Sequence, residues 1–150
     1  MTKRFLAALL LLLPLVSFSA ECAPPGDEKA VATRIQALFD ALGTDDARAW
    51  NQIVDPSFYA FDASKRLDGN ALFDLVKSAH TAGVKIVWRL EQIDVHIDCT
   101  TAWFSLMNYG SIGGAGSAQA MSWQESGLFN YVQGQWKLRF FHSNRVTPQG

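Results

Sequence analysis

The sequence predicts a single α+β domain in which three N-terminal helices pack on a curved, mostly antiparallel sheet. Its 150 residues leave room for one domain. Apolar residues recur at helical spacing over most of residues 28–83. From residue 84 onward, long strand-like segments alternate with short turns that contain glycine. Helices followed by consecutive strands are typical of an α+β architecture.

Composition excludes several classes of protein. The chain is 49% hydrophobic and 18% charged with a net charge of -1, which excludes a disordered or collagen-like chain. It has no basic stripe of the kind that nucleic-acid binding needs, so we predict no nucleic-acid partner. Two cysteines are too few for a disulfide scaffold or for a four-ligand zinc cluster.

The first residues have the pattern of a cleavable signal peptide. Lys3 and Arg4 precede an apolar run over residues 5–16, and the small residues Ser17, Ser19 and Ala20 follow it. The run is shorter than the roughly 20 residues that span a bilayer. We therefore predict export to the periplasm or medium, with cleavage after Ser19; the alternatives are cleavage after Ala20 and an uncleaved membrane anchor. The predicted organisation is a signal peptide over 1–19, a flexible leader over 20–27 and the folded domain over 28–147.

Export permits a disulfide between the two cysteines. Cys22 lies in the predicted leader beside a run that contains two prolines and a glycine. Cys99 lies at the end of a predicted strand, so a bridge would tether the leader to the sheet. Because a flexible leader can reach many places, the sequence leaves open whether the bridge forms.

Helix signals occur three times before the four long strands. The first helix is expected from the N-cap Asp27 to Gly43, with apolar residues on one face. A short second helix is expected from the N-cap Thr44 to the Asp-Pro pair at 55–56. The third helix is expected to begin within residues 68–70 and to end at Gly83.

Strand signals occur in six segments, two short and four long. Two short strands are expected over residues 57–62 and 65–67, between the second and third helices. Four long strands are expected over residues 84–97, 101–112, 118–131 and 135–146. The short turns between the long strands predict an antiparallel meander.

The order of these elements resembles the cone-shaped NTF2-like superfamily, and within it the exported SnoaL-like and DUF4440-type proteins. The stretches that carry the resemblance are DPSFYAFD at 55–62, Asp68-Gly69, WQES at 123–126 and GQWKLRFFHS at 134–143. The resemblance covers residues 28–147. It implies a deep pocket between helices and sheet and frequent homodimers. It implies no single reaction, because the superfamily includes isomerases, cyclases, dehydratases and binding modules.

His142 is the first candidate catalytic residue. The period of two places it on the same face of the last strand as Trp136, Leu138 and Phe140, which we interpret as the inner face. There it could be a general base or a donor to a ligand. The alternative is a structural histidine bonded to a backbone carbonyl or to Ser143.

Glu125 is the second candidate. It shares a strand face with Trp123 and Phe129, and burial among aromatic rings would raise the pKa of an unpaired carboxyl. A carboxyl with a raised pKa beside a histidine is suited to acid–base catalysis. The alternative is an ion pair of Glu125 with His142 or an arginine that only orders the sheet.

Asp62 is the third candidate, and the family resemblance suggests its role. In the ketosteroid isomerase branch a general-base aspartate lies in the equivalent hairpin. That branch also uses a tyrosine on its first helix as the oxyanion donor, and the first predicted helix here has none. Tyr59 and Tyr109 are the candidates near the pocket. The alternative is that Asp62 only caps a turn.

Aromatic residues outnumber what a small core needs, so some are expected to line a cavity. The predicted ligand-binding residues are Trp50, Tyr59, Phe61, Trp88, Asn108, Trp123 and Phe140. The alternating Asp94, His96 and Asp98 are interpreted as a solvated outer face, so we predict no metal, and no motif predicts a cofactor.

The sequence favours an exported domain that binds a small apolar ligand. The alternative is a cofactor-free isomerase or lyase that uses Asp62, Glu125 and His142. We also expect a homodimer through the outer face of the sheet. The aromatic residues expected there are Phe141 and Trp103 or Phe104.

Overall fold

The computed structural model describes residues 22–114 and 116–146. The predicted signal peptide, residues 1–19, lies outside the described residues. Among the helices that the structure describes, none combines the length and apolar character needed to cross a bilayer.

The described chain forms three helices and six strands. In chain order they are α1 (Glu28–Gly43), α2 (Ala47–Ile53), β1 (Val54–Asp62), β2 (Lys65–Asp68), α3 (Gly69–Thr81), β3 (Lys85–Asp98), β4 (Thr101–Gly113), β5 (Gln119–Val132) and β6 (Gln135–Val146). The predicted α+β order is confirmed. The helices are not all N-terminal to the sheet, because the hairpin of β1 and β2 separates α2 from α3.

Aspartate side chains cap the start of every described helix. Asp27 and Asp68 each accept a backbone N–H at 2.8 Å, at the starts of α1 and α3. Asp46 accepts two backbone N–H groups at 3.0 Å at the start of α2. The predicted cap Thr44 instead ends α1, where its hydroxyl donates to the carbonyl of Asp40 at 2.7 Å.

The strands form one sheet in the order β2-β1-β6-β5-β4-β3. The meander of β3 to β6 is antiparallel, as predicted, and only the β1–β6 pair is parallel. The inner face of the sheet packs against the helices, and the outer face is the opposite one. The core between them includes Val31, Ile35, Phe104, Phe129 and Leu138.

A β-bulge interrupts the alternation of β6. Leu138 pairs with Phe129 on β5, but Phe140 pairs with the preceding β5 residue, Leu128. Arg139 therefore has no partner in the β5 register. An extra residue of this kind shifts the inward and outward alternation of a strand by one position.

The bulge reverses the orientation that the sequence predicts for the second half of β6. Phe141 is buried on the inner face with 6% of its surface exposed, whereas His142 is exposed. The predictions that Phe140 and His142 face inward and that Phe141 faces outward are therefore wrong. Of the two alternatives on β4, Trp103 is exposed at 46% and Phe104 is buried.

A disulfide ties the leader to the sheet. Cys22 is bonded to Cys99, with their Cα atoms 5.3 Å apart. Cys99 lies between β3 and β4, so the described part of the leader is held at that end of the sheet. The sequence did not decide whether this bridge forms, and the structure shows that it does.

Candidate functional site

A cavity of about 220 Å³ lies between helices α1 and α3 and the inner face of the sheet. Its walls are mainly apolar. The aromatic residues that line it are Phe39, Trp88, Trp123 and Phe141. The polar residues that line it are Asp62, Glu125 and Ser143. Leu75 of α3 also lines the cavity and is 51% exposed, so it lies at the cavity's edge.

Glu125 is the most buried acidic residue at this site. It is 5% exposed, and its carboxylate accepts hydrogen bonds from Asn108 Nδ2 and Ser143 Oγ, each at 3.2 Å. The pKa of Glu125 is raised to about 7, mainly by burial and also by the nearby Asp62 charge, while the two hydrogen bonds act in the opposite direction. Neither predicted ion pair, with His142 or with an arginine, is among the described contacts of Glu125.

Asp62 enters the same cavity from the end of β1. It is the last residue before a two-residue turn in which Ala63 and Ser64 have φ values of 47° and 63°. Burial raises the pKa of Asp62, partly offset by the N–H of Ala63 and by the charge of His142. Asp62 therefore contacts its turn and also lines the cavity. Its role as a general base stays a prediction.

Asn108 is fully buried and lies behind Glu125. Its Oδ1 accepts the backbone N–H of Arg89 at 3.1 Å, and its Nδ2 donates to Glu125. Asn108 is not among the residues that line the cavity. It positions the carboxylate of Glu125 from the neighbouring strand.

His142 does not share the cavity with the two carboxyl groups. It lines a separate groove of about 420 Å³ on the outer face of the sheet. Residues with polar side chains that line this groove with it are Gln92, Ser105, Gln124, Glu125, Ser126 and Asn144, so Glu125 borders both the groove and the cavity. The structure thus brings Asp62 and Glu125 together, whereas the bulge of β6 places His142 on the opposite face.

The predicted ligand-binding aromatic residues lie in three different places. Trp88 and Trp123 line the cavity. Trp50 packs in the core, with its ring 6.0 Å from that of Phe58 and 5.8 Å from that of Phe73. It does not line the cavity.

The remaining three form an aromatic cluster on the outer face. The ring of Tyr59 lies 5.9 Å from that of Phe61 and 5.2 Å from that of Phe140. The guanidinium of Arg66 lies 4.3 Å from the centre of the Tyr59 ring. This cluster covers β1 and β6 and lies away from the cavity.

The sequence alone did not indicate Phe39, Phe141 and Ser143 as lining residues. Phe39 is one of several apolar residues on one face of α1, and that face gives no sign of which side chain meets a cavity. Phe141 and Ser143 face inward only because of the bulge. Within residues 22–114 and 116–146, no three His, Cys, Asp or Glu side chains form a group that could hold a metal ion.

Comparison with known proteins gives matches in structure only. No family model matches the sequence, and no curated protein matches it. An NTF2-like protein from Cytophaga hutchinsonii superposes with a TM-score of 0.69 at 8% identity, covering 81% of this chain and 99% of its own.

Two further solved structures are similar. A protein from Shewanella frigidimarina provisionally named a ketosteroid isomerase has a TM-score of 0.65 and 15% identity, covering 78% of this chain and 96% of its own. The CaMKII hub of S. rosetta has a TM-score of 0.67 and 20% identity, covering 83% of this chain and 100% of its own. These likenesses confirm the predicted NTF2-like fold. The SnoaL-like or DUF4440 type stays a prediction.

Proposed function

We propose that this protein is an exported NTF2-like domain whose cavity binds a small molecule with a mostly apolar body. The observation that carries the proposal is an aromatic cavity that contains the buried carboxyl of Glu125. Burying an acidic group away from water is costly, and a polar group of a ligand would offset that cost. The volume of about 220 Å³ is below the roughly 300–1,000 Å³ of pockets for drug-sized ligands, so the ligand is small.

A cavity-filling variant tests this proposal. The probe is 2-naphthalenemethanol, a neutral bicyclic alcohol, titrated into the protein by calorimetry. Ala79 lines the cavity from α3, so Ala79→Phe should weaken binding at least about tenfold. Ser78→Phe, on an exposed position of the same helix, is the control and should bind as the wild type does. Equal affinity in the wild type and Ala79→Phe would contradict the proposal.

A cofactor-free isomerase or lyase is the second candidate function. It is favoured by two carboxyl groups with raised pKa values in one cavity. The carboxylate of Asp62 would take a proton from the carbon beside a ketone, and protonated Glu125 would donate a hydrogen bond to the enolate oxygen. The proton would then return from Asp62 to another carbon. Glu125 would thus replace the tyrosine that α1 lacks.

Cyclohex-3-en-1-one, whose double bond can move into conjugation with the ketone, is a direct substrate probe. Conversion is followed by ultraviolet absorbance. Asp62→Asn should abolish it, and Asp74→Asn, an exposed position on α3, should not. Conversion at the uncatalysed rate by the wild-type protein would dismiss the enzymatic candidate for this substrate class.

We further propose a homodimer through the outer face of the sheet. The β-sheet register aligns Tyr59, Phe140, Leu128, Trp103 and His96 in one row across five strands. Trp103 is 46% exposed, and its ring stacks on His96 with centroids 5.4 Å apart. Apolar and aromatic side chains that are exposed or half-exposed on a sheet face are typical of interfaces.

Light scattering tests the dimer. The wild-type protein should have the mass of a dimer at micromolar concentration, and Trp103→Glu should be a monomer. Leu75→Glu, an equally exposed apolar position on α3, is the control and should remain a dimer. A monomeric wild-type protein would contradict the proposal.

Export is proposed from the signal-peptide pattern and is supported by the Cys22–Cys99 bridge, which suits an oxidising compartment. The full-length chain expressed in a bacterium should be recovered from the periplasm or medium. Its intact mass should correspond to a chain that begins at Ala20. Recovery with Met1 retained would contradict cleavage.

A further inference from the structure

We infer that the ligand of this cavity is an organic cation, namely a small amine with an apolar or aromatic body. This inference rests on the proposed function, because it names the ligand class of the same cavity. The cavity contains two carboxyl groups, Asp62 and Glu125. No Lys, Arg or His is present among the described residues that line it.

The two carboxyl groups have only neutral partners on the cavity side. Glu125 accepts from the Asn108 amide and the Ser143 hydroxyl, neither of which carries a positive charge. Acidic groups buried in proteins are normally paired with a cation. A ligand ammonium group could donate hydrogen bonds to both carboxylates and neutralise their charge.

The cavity walls also favour a cation over a neutral molecule. The indole rings of Trp88 and Trp123 line the cavity together with two phenylalanine rings. Aromatic faces attract ammonium groups, and tryptophan is the strongest of them. The same rings provide apolar contact for the body of the ligand. An anionic ligand would instead be repelled by the two carboxylates.

The charged groups around the two carboxyls determine the pH dependence. The other described residues that line the cavity, contributed by α1, α3, β3, β4, β5 and β6, are apolar except for Ser143. The charge of His142 acts on Asp62 from the outer face, outside the cavity. Asp62 is therefore the titratable group that acts on Glu125. Amine binding should weaken as the pH is lowered from about 8 to 6, because Glu125 becomes protonated over that interval.

A matched pair of probes tests the inference. Calorimetry at pH 8 compares 2-naphthalenemethanol with 2-naphthalenemethylamine, which differ only in a hydroxyl and an ammonium group. The amine should bind at least about tenfold more tightly than the alcohol to the wild-type protein. Glu125→Gln and, as a second variant, Asp62→Asn should each reduce that preference. Glu91→Gln, an exposed acidic position, is the control and should keep it.

The outcomes separate the inference from the proposed function. If the alcohol binds as tightly as the amine and Ala79→Phe blocks it, the inference is wrong and the proposed function stands. If the amine preference is the same in Glu125→Gln and Asp62→Asn as in the wild type, the inference is also wrong. If neither probe binds, or if Ala79→Phe changes neither affinity, both are overturned.

Discussion

The amide of Asn108 and the carboxylate of Glu125 form a buried hydrogen bond, in which Nδ2 donates to Oε2 at 3.2 Å. Asn108 is held at its other end by the backbone N–H of Arg89. Because both ends of the amide are occupied, its orientation is determined, and so is the position of the carboxylate beside the cavity. Register pairing explains the contact, since Asn108 lies opposite Trp123 and next to Glu125 on the same inner face.

Loss of this amide should destabilise the protein. Asn108→Ala leaves Glu125 without one donor and the Arg89 N–H without its acceptor. We expect the free energy of unfolding to fall by about 1–3 kcal/mol, measured by urea denaturation. Asn130→Ala is the control, because Asn130 is half-buried in the same sheet and makes one hydrogen bond, at 3.3 Å to Thr101. A cost for Asn108→Ala no greater than that for Asn130→Ala would refute this prediction.

The raised pKa of Glu125 should make stability depend on pH. Its pKa is about 7 in the folded protein, compared with 4.5 for an ordinary glutamate. Between these values the unfolded chain releases a proton that the folded protein keeps, so the free energy of unfolding falls as the pH rises. The fall attributable to this residue is about 3 kcal/mol.

In Glu125→Gln the free energy of unfolding should no longer decrease in this way as the pH rises. Urea denaturation at several pH values between about 4 and 8 measures this. The isosteric amide cannot release the proton. Glu91→Gln, at an exposed position, should keep the slope of the wild-type protein. An unchanged slope in Glu125→Gln would show that another group is responsible.

Gly110 should tolerate no side chain. A Cβ atom at this position would overlap the backbone carbonyl oxygen of Val87 on the neighbouring strand. Gly110→Ala should therefore lower the free energy of unfolding by about 3 kcal/mol or more, because backbone atoms in a sheet cannot move aside cheaply. Gly114→Ala is the control, since its nearest neighbour would be Ser117 Oγ at 3.7 Å. Similar unfolding midpoints for the two variants would contradict the predicted overlap.

The Cys22–Cys99 bridge should stabilise the domain and leave no free thiol. Thiol titration of the unreduced mature protein should detect none. Cys99→Ser should lower the free energy of unfolding by about 2–4 kcal/mol, because the unfolded chain gains freedom. Cys22→Ser and the double variant should show the same loss. Larger additive losses would mean that each cysteine acts separately from the bridge.

The local rules of the sequence were sufficient for the order and approximate limits of the helices and strands. Asp27 and Asp68 cap helices because short carboxylate side chains satisfy free N–H groups wherever a helix begins. The alternation on β5 correctly predicted that Glu125 lies on the inner face. It shares that face with the buried residues Trp123, Gly127 and Phe129. These features depend on neighbours in sequence, so the sequence alone determined them.

Tertiary structure alone decided which candidate residues meet in the cavity. The extra residue at Arg139 shifts the inward and outward alternation of β6. No local pattern in the strand predicts this bulge, because a bulge depends on the register of the neighbouring strands. That shift moves His142 to the outer face and brings Ser143 to Glu125. Likewise, Asn108 reaches Glu125 only through pairing of β4 with β5, a contact between residues 17 positions apart. Alternation in a strand is local, whereas register is set by packing across the whole sheet.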